Sequence, residues 1–186
     1  MQKTTSPFFR DRQQTRLFGM LMLASACCGL LVSVRLAWNW QHLPEARSWR
    51  TFVEARGATY LFLIWNLFLA WIPYLAALRV DQLQRRAGSR WSQGMLLGIW
   101  LAFLPNAPYI VTDFVHFRPL APIPLWFDLV LLFATASTGL LLGLLSLRET
   151  HWTLRRWLSP GPSWVLILGA IGLAGFGVWL GRFQRW

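Results

Sequence analysis

The sequence predicts an all-α integral membrane protein, a helical bundle of about five transmembrane helices. Of its 186 residues, 55% are hydrophobic and only 13% are charged, about half the charged share of a soluble domain. Five uncharged apolar runs follow one another along the chain, each of at least 18 residues. Such a run can cross roughly 30 Å of hydrocarbon at about 1.5 Å per residue. Polar segments rich in Arg and Trp separate the runs, as expected of segments at a membrane interface.

The predicted spans form a single transmembrane domain over residues 17–186, preceded by a basic arm over residues 1–16. We expect the first run to remain in the protein, because it is longer than a signal-peptide core and bulky residues follow it. The spans cover about residues 17–36, 57–79, 91–112, 125–147 and 162–182.

The net charge of +11 lies between the apolar runs and not on one face of a soluble module, so we expect no nucleic-acid partner. Alternate polar segments carry 11 Lys and Arg on one side and 7 on the other. The positive-inside rule places the richer side in the cytoplasm. The N-terminus is therefore predicted to be cytoplasmic and the C-terminus to lie outside.

The third run contains the stretch FLPNAPYIVTDFVH, from Phe103 to His116. Pro105 disfavours helix at the residue before it, so the regular helix should end near Leu104, and Pro108 follows closely. Only 14 residues, about 21 Å of helix, precede this break, less than a full crossing. Non-helical backbone at membrane depth must be buried in protein or line a wet cavity. We therefore expect a pocket, polar or filled by protein, near the outer surface.

Polar and titratable residues from several segments should meet on this outer side. Ionisable groups at membrane depth are costly, and they suggest a functional site. The candidates are Asn106, Tyr109, Thr112, Asp113 and His116 of the third span, Asp128 at the start of the fourth, Arg182 and Arg185 after the fifth, Arg118, His42 and Glu45 in the connecting segments, and Asn66 inside the second span.

Three interpretations of these residues stay open. Asp113, His116 and Asp128 could bind a divalent metal or act as an acid–base pair. Asn106, Tyr109, Asn66 and Arg182 could bind a substrate or lipid. Alternatively, the polar groups could bond their own backbone, cap short helices or pair with arginines. No established catalytic motif accompanies them, and no cofactor is implied.

Small residues recur every fourth position in the last two spans, at Thr135, Gly139 and Gly143, at Ala170 and Ala174, and at Gly177 and Gly181. Such faces let helices approach closely. We expect these two spans to pack together, or one of them to contact a second copy or a membrane partner. Cys27 and Cys28 are neighbours inside the first span and should behave as small apolar residues.

The stretches LPNAPYIVTDFVH, LFLIWNLFLAWIPY, PLWFD and GRFQRW resemble domain of unknown function 1361, a family of uncharacterised bacterial multi-pass membrane proteins. The resemblance covers roughly residues 55 to 186. It implies a bacterial plasma membrane but no activity, cofactor or substrate. The family pattern continues beyond GRFQRW into further hydrophobic segments, so the chain is either a short member or a truncated one.

Taken together, these patterns predict a non-catalytic membrane protein, structural or partner-binding, with an outer pocket at the broken third helix. One alternative is a membrane-embedded enzyme that uses Asp113, His116 and Asp128 for metal-dependent or acid–base chemistry. The other alternative is a small transporter, although no second broken half matches the third span, as an inverted repeat would require.

Overall fold

A computed structural model describes residues 8–42, 60–117 and 124–183 of the chain, without the side chains of His116 and Phe183. All regular elements in these ranges are helical. They are α1 (Arg12–His42), α2 (Leu61–Arg85), α3 (Arg90–Phe103), α4 (Asn106–Tyr109), a 3₁₀ helix (Ile110–His116), α5 (Leu125–Leu154) and α6 (Pro160–Phe183). Five helical spans are long and apolar enough to cross a membrane, the third running through α3, α4 and the 3₁₀ helix. The predicted all-α class and the five spans are confirmed.

The bundle is built around α2 and α5, because these two helices bury the largest share of their spans. Leu67, Ala70, Tyr74 and Leu78 of α2 belong to the same buried cluster as Ala136 and Leu142 of α5. By contrast, α1 and α6 bury few residues and present long apolar faces outward. Lipid is the natural solvent for such faces, since apolar surface of this extent is rare on a soluble monomer.

The third span bends where the prolines predict it. Helix α3 ends at Phe103, one residue before Leu104. The chain then stays in the right-handed helical region through Leu104 and Pro105, and it continues as the single turn of α4 and the 3₁₀ helix. We call the residues from Leu104 to His116 the bent segment.

Side-chain hydrogen bonds satisfy two backbone carbonyl groups at the bend. The side-chain amide of Asn106 donates to the carbonyl oxygen of Phe103 at 3.0 Å. The Thr112 hydroxyl donates to the carbonyl oxygen of Tyr109 at 2.7 Å. These contacts match the structural interpretation of both residues. They explain how an irregular backbone is tolerated at membrane depth, where each unpaired carbonyl would be costly.

Glycines of α5 and α6 make room for the bent segment. A Cβ atom at Gly139 would lie 2.6 Å from Cγ2 of Ile110, and one at Gly143 would lie 2.7 Å from Cβ of Ala107. On α6, a Cβ at Gly177 would lie 3.0 Å from the Pro105 ring. Any side chain would therefore force these elements apart.

The predicted close approach at the small-residue faces is found, but the structure identifies a different neighbour for the glycines. They receive the bent segment of their own chain, where we expected the other glycine helix or a second molecule. Ala170 and Ala174 do join a buried cluster with Leu154 of α5 and Trp100 of α3. Contact of these faces with a second copy or another membrane protein stays a prediction.

Candidate functional site

The candidate residues lie at the end of the bundle that contains the bent segment, which we call the bend end. Asp113 on the 3₁₀ helix is buried, and its carboxylate accepts a hydrogen bond of 2.8 Å from the side-chain amide of Asn66 on α2. Asp113 lies near the end of the third span, and its side chain is turned toward the interior of the bundle. Asn66, the candidate inside the second predicted span, thus contacts one of the two candidate aspartates.

Asp128 is held by a different partner on α1. Its two carboxylate oxygens accept hydrogen bonds from Nε and Nη2 of Arg35, at 2.6 and 3.1 Å, and both side chains are only 1% exposed. The remaining Nη1 of Arg35 donates to Asn39, and the guanidinium lies over the ring of Tyr60 at 5.6 Å. This two-pronged geometry is the strongest form of an arginine–carboxylate contact. It ties α1 to α5 deep inside the bundle.

The remaining candidates are distributed more loosely. Tyr109 packs beside Gly181 of α6, at 3.4 Å from a Cβ placed there. Arg182 forms no ion pair with Asp113 or Asp128 in the described structure, and Arg35 is the arginine that pairs with Asp128. His42 contacts the carbonyl oxygen of Trp38 on its own helix. Glu45, Arg118, Arg185 and the side chain of His116 lie outside the described residues.

The described residues contain no group of three or more His, Cys, Asp and Glu side chains that could hold a metal ion. Asp128 faces a cation already, and Asp113 faces an amide donor. A carboxylate in either setting is held inside the bundle as a hydrogen-bond acceptor. Because the His116 side chain is not described, a metal or acid–base role for the three predicted residues stays a hypothesis.

A cavity does lie beside the bent segment, but its character differs from the polar pocket that we expected. Its volume is about 250 Å³, and it opens between α5 and α6. The lining is apolar: Leu104, Pro108, Leu140, Gly143, Leu144, Leu147, Ile171, Ala174 and Gly175. The physical reason is that the polar side chains of the segment turn inward and bond to the bundle or to their own backbone. We call this space the bend crevice.

The opposite end of the bundle, which we call the arm end, contains a second ionic cluster that the sequence reasoning missed. Asp81 of α2 and Glu149 of α5 are both buried there. Arg156 and Arg85 approach the two oxygens of Asp81 at 3.0 and 3.1 Å. Arg10 from the N-terminal arm lies 3.4 Å from Glu149 and 3.9 Å from Asp81. The described part of the arm, from residue 8, therefore lies against this end of the bundle, where Arg10 joins the charges of α2 and α5 in one network.

Gln14 fixes the arm in this position. Its Nε2 donates to Glu149 at 3.0 Å, and its Oε1 accepts a 2.6 Å bond from the backbone N–H of Arg10. Asp11 accepts from the backbone N–H of Gln14 at 2.7 Å, which lowers the pKa of the Asp11 carboxyl. Burial disfavours the charged form of Arg10, but the nearby carboxylates, Glu149 first, outweigh it and raise its pKa.

Two signals in the sequence could have identified this cluster. Asp81 and Arg85 are four residues apart, the spacing of an ion pair on one helix face. Asp11 and Gln14 have the spacing of a helix N-terminal capping box. The whole chain has only seven acidic residues, so each of them is a candidate partner for one of the 18 Lys and Arg residues. Among the described residues, all five acidic side chains have partners within the chain.

Comparison with known proteins identifies the family. No curated protein and no solved structure matches the chain. A model of a protein family of unknown function, DUF1361, matches residues 65–186. This match contains the last three spans in full and most of the second, with the bent segment, Asn66 and both candidate aspartates, and it agrees with the resemblance carried by the proline stretch. The chain therefore belongs to the DUF1361 family of multi-pass membrane proteins.

Proposed function

We propose that this protein is a non-catalytic membrane protein that acts structurally or binds a membrane partner at the bend crevice. One observation carries the proposal. The two aspartates that could have performed chemistry are each engaged inside the bundle, Asp128 by Arg35 and Asp113 by Asn66. Groups bound in this way hold helices together.

The energetics of the Arg35–Asp128 pair support the same conclusion. Removing one member of a buried ion pair leaves a charge without compensation, at a cost of about 3–5 kcal/mol. Arg35 donates two hydrogen bonds to the Asp128 carboxylate and compensates its charge. The role that this pair supports best is structural: it holds α1 against α5.

The bend crevice supplies the binding half of the proposal. Its apolar lining suits a hydrocarbon chain or the apolar face of a partner helix, since neither needs polar contacts. Gly143 and Gly175 on its walls keep the surface concave. At about 250 Å³ it is somewhat smaller than a typical ligand cavity of roughly 300–1,000 Å³. A shallow contact with one chain or one helix therefore fits better than an enclosed substrate.

The transporter alternative requires a polar route between the two ends, and the described interior supports it less well. Between Asn66 and Asp81 of α2 the buried residues are Leu67, Ala70, Pro73, Tyr74, Ala76, Ala77, Leu78 and Val80. On α5, the hydroxyls of Thr135 and Thr138 bond to the carbonyl oxygens of their own helix. The buried α2 side chains between the two polar clusters are thus apolar except for the Tyr74 hydroxyl, and the buried Ser146 hydroxyl of α5 bonds to the carbonyl oxygen of Gly143 on its own helix.

The metal content of the detergent-purified protein tests the proposal against the enzyme alternative. Wild type, His116→Ala and Asp113→Asn would be dialysed against a mixture of divalent transition metals and analysed by mass spectrometry. We expect less than one tenth of a metal ion per chain in all three. About one ion per chain in wild type that is lost in both variants would overturn the non-catalytic proposal. Arg79→Gln, a change at the arm end, is the control for nonspecific loss.

A further inference from the structure

A second groove lies nearer the arm end, between α3, α5 and α6. Its volume is about 430 Å³, which is within the range of known ligand cavities. The walls are almost wholly apolar: Leu97, Trp100, Leu101, Leu154, Val165, Leu166, Gly169, Ala170 and Leu173, with Thr150 the one hydroxyl. We call this space the arm-end groove. Its residues differ from those of the bend crevice.

The arm-end groove leads to a charged mouth. A second cavity of about 540 Å³ shares Leu97 with it and is lined by Arg90, Gly94, Arg156 and Trp157. Arg90 is exposed and forms no ion pair with any described residue. Arg156 donates from Nη1 to Oε1 of Gln84 at 2.9 Å, and the same nitrogen lies 3.0 Å from Oδ1 of Asp81 in an ion pair. This end of the site therefore presents two guanidinium groups and no carboxylate in its lining.

The buried hydroxyl of Thr150 points to the same kind of ligand. Thr150 is 1% exposed and lines the groove, and its Oγ1 has no hydrogen-bond partner among the described residues. Buried hydroxyls normally find a partner. Thr150 lies six residues before Arg156, about 9 Å along a helix axis. A polar group bound here would sit deeper in the membrane than a group bound by the arginines.

We propose that this site binds one anionic phospholipid. The phosphate lies between Arg90 and Arg156, an ester oxygen of the glycerol accepts the Thr150 hydroxyl, and one acyl chain occupies the arm-end groove. Arginine recognises phosphate well because its planar fork donates two parallel hydrogen bonds. Trp157 at the mouth is a residue that prefers the level of lipid headgroups.

Charge and polarity together select a lipid over other occupants. A soluble anion would use the two arginines but gain nothing from the apolar groove. A partner helix would fill the groove but leave the guanidinium groups and the Thr150 hydroxyl without a complementary anion. Only an amphiphile with a negative headgroup uses all three features. This inference is independent of the proposed function, because the bend crevice and the arm-end groove share no residue.

Two substitutions test the two halves of the site without disturbing the fold. Arg90→Gln removes a guanidinium that has no ion pair to lose. Gly169→Leu fills the groove, and a Cβ at Gly169 meets nothing within 4 Å. Arg86→Gln is the matched control for charge, since Arg86 is exposed and lies outside the lining. Gly172→Leu is the matched control for size, because it also has open space and does not line the groove.

Native mass spectrometry of the detergent-purified full chain measures its affinity for dioleoyl phosphatidylglycerol. The affinity for dioleoyl phosphatidylcholine is measured in the same way for comparison. We expect preference for phosphatidylglycerol in wild type and about fivefold weaker binding in Arg90→Gln, from about 1 kcal/mol per basic residue near an anionic lipid. Gly169→Leu should weaken binding to a similar extent, and both controls should bind as wild type does.

Three results would overturn the inference. Equal affinity in all four variants would show that phosphatidylglycerol does not occupy this groove. Equal affinity for the two lipids would remove the role of the arginines. Displacement of bound lipid by inorganic phosphate at millimolar concentration, with Gly169→Leu unaffected, would reassign the mouth to a soluble anion. Thermal unfolding of each variant in the same detergent confirms that it is folded.

Discussion

The buried pair of Arg35 and Asp128 should be the most sensitive contact in the bundle to single substitution. Neutralising Asp128 to Asn leaves the guanidinium 1% exposed with no countercharge, and Arg35→Gln leaves the carboxylate in the same position. Two unit charges about 4 Å apart attract by about 4 kcal/mol at an effective dielectric constant near 20. That agrees with the loss of about 3–5 kcal/mol measured when other buried pairs are broken. We expect each single variant to lose stability in this range.

The double variant distinguishes a pairing role from two independent roles. Arg35→Gln with Asp128→Asn removes both charges and keeps two amides that can bond to each other. Replacing a buried ion pair as a unit is often close to neutral. The double variant should therefore be more stable than either single variant, with a coupling energy of at least about 3 kcal/mol.

Thermal unfolding followed by tryptophan fluorescence gives the measurement, since 13 Trp residues report on the bundle. At about 2–4 °C per kcal/mol, each single variant should lower the midpoint by roughly 6–20 °C. Scan rate and detergent must be matched, because unfolding of such a protein can be irreversible. Additive effects of the two substitutions would refute the pairing argument. A stabilised Asp128→Asn would point instead to a strained functional carboxylate.

Two further predictions concern the contact of Gly143 with the bent segment and the cap that Asp11 forms on α1. Gly143→Ala should destabilise the protein by up to about 2 kcal/mol, because overpacking against Ala107 (about 1–3 kcal/mol) exceeds the gain in helix propensity (about 1 kcal/mol). Ala107→Gly should rescue it in the same unfolding assay, whereas Gly172→Ala, with open space around its Cβ, should be neutral or stabilising. The Asp11 carboxylate caps the start of α1, and its pKa is lower in the folded protein than in the unfolded chain. The stability that this cap contributes is therefore fully present above the ordinary pKa of about 3.9, and it is lost as the pH falls through the lower pKa of the folded state. Amide exchange over residues 12–16, corrected for intrinsic rates, should therefore lose protection in acid, and Asp11→Asn, which caps without a charge, should remove that dependence.

The sequence allowed the spans and the bend to be predicted because both depend on local chemistry. An apolar run has few alternatives in a membrane, and a proline acts on its immediate neighbours. The continuation of the bent segment as helix was not foreseen. Its course depends on hydrogen bonds from Asn106 and Thr112 and on space provided by α5 and α6, which lie far away in the chain.

The partners of the candidate residues were harder to predict, since pairing depends on which helices are neighbours. Asp113 and Asp128 were identified as candidates, yet Arg35 entered the sequence analysis only through the count of Lys and Arg in the polar segments. Its burial against Asp128 depends on how α1 packs against α5, which the sequence of α1 alone does not reveal. The arm-end cluster was missed for a related reason. Asp81 and Glu149 lie near helix ends, where charges are usually solvated, yet both are buried, and Arg10 of the arm lies beside them.

The prolines and glycines together explain why a membrane span should bend at this point. If α3 continued as a straight helix, Asp113 would lie at the membrane surface. The bend instead carries the chain across Gly143 and Gly139 of α5 and beside Gly177 of α6. Asp113 then reaches Asn66 inside the bundle. Because the packing of the bent segment against Gly143 positions Asp113 for its contact with Asn66, the Gly143→Ala substitution should weaken that contact as well as the packing. A double-mutant cycle between Gly143→Ala and Asn66→Leu should therefore show coupling, whereas one between Gly172→Ala and Asn66→Leu should be additive.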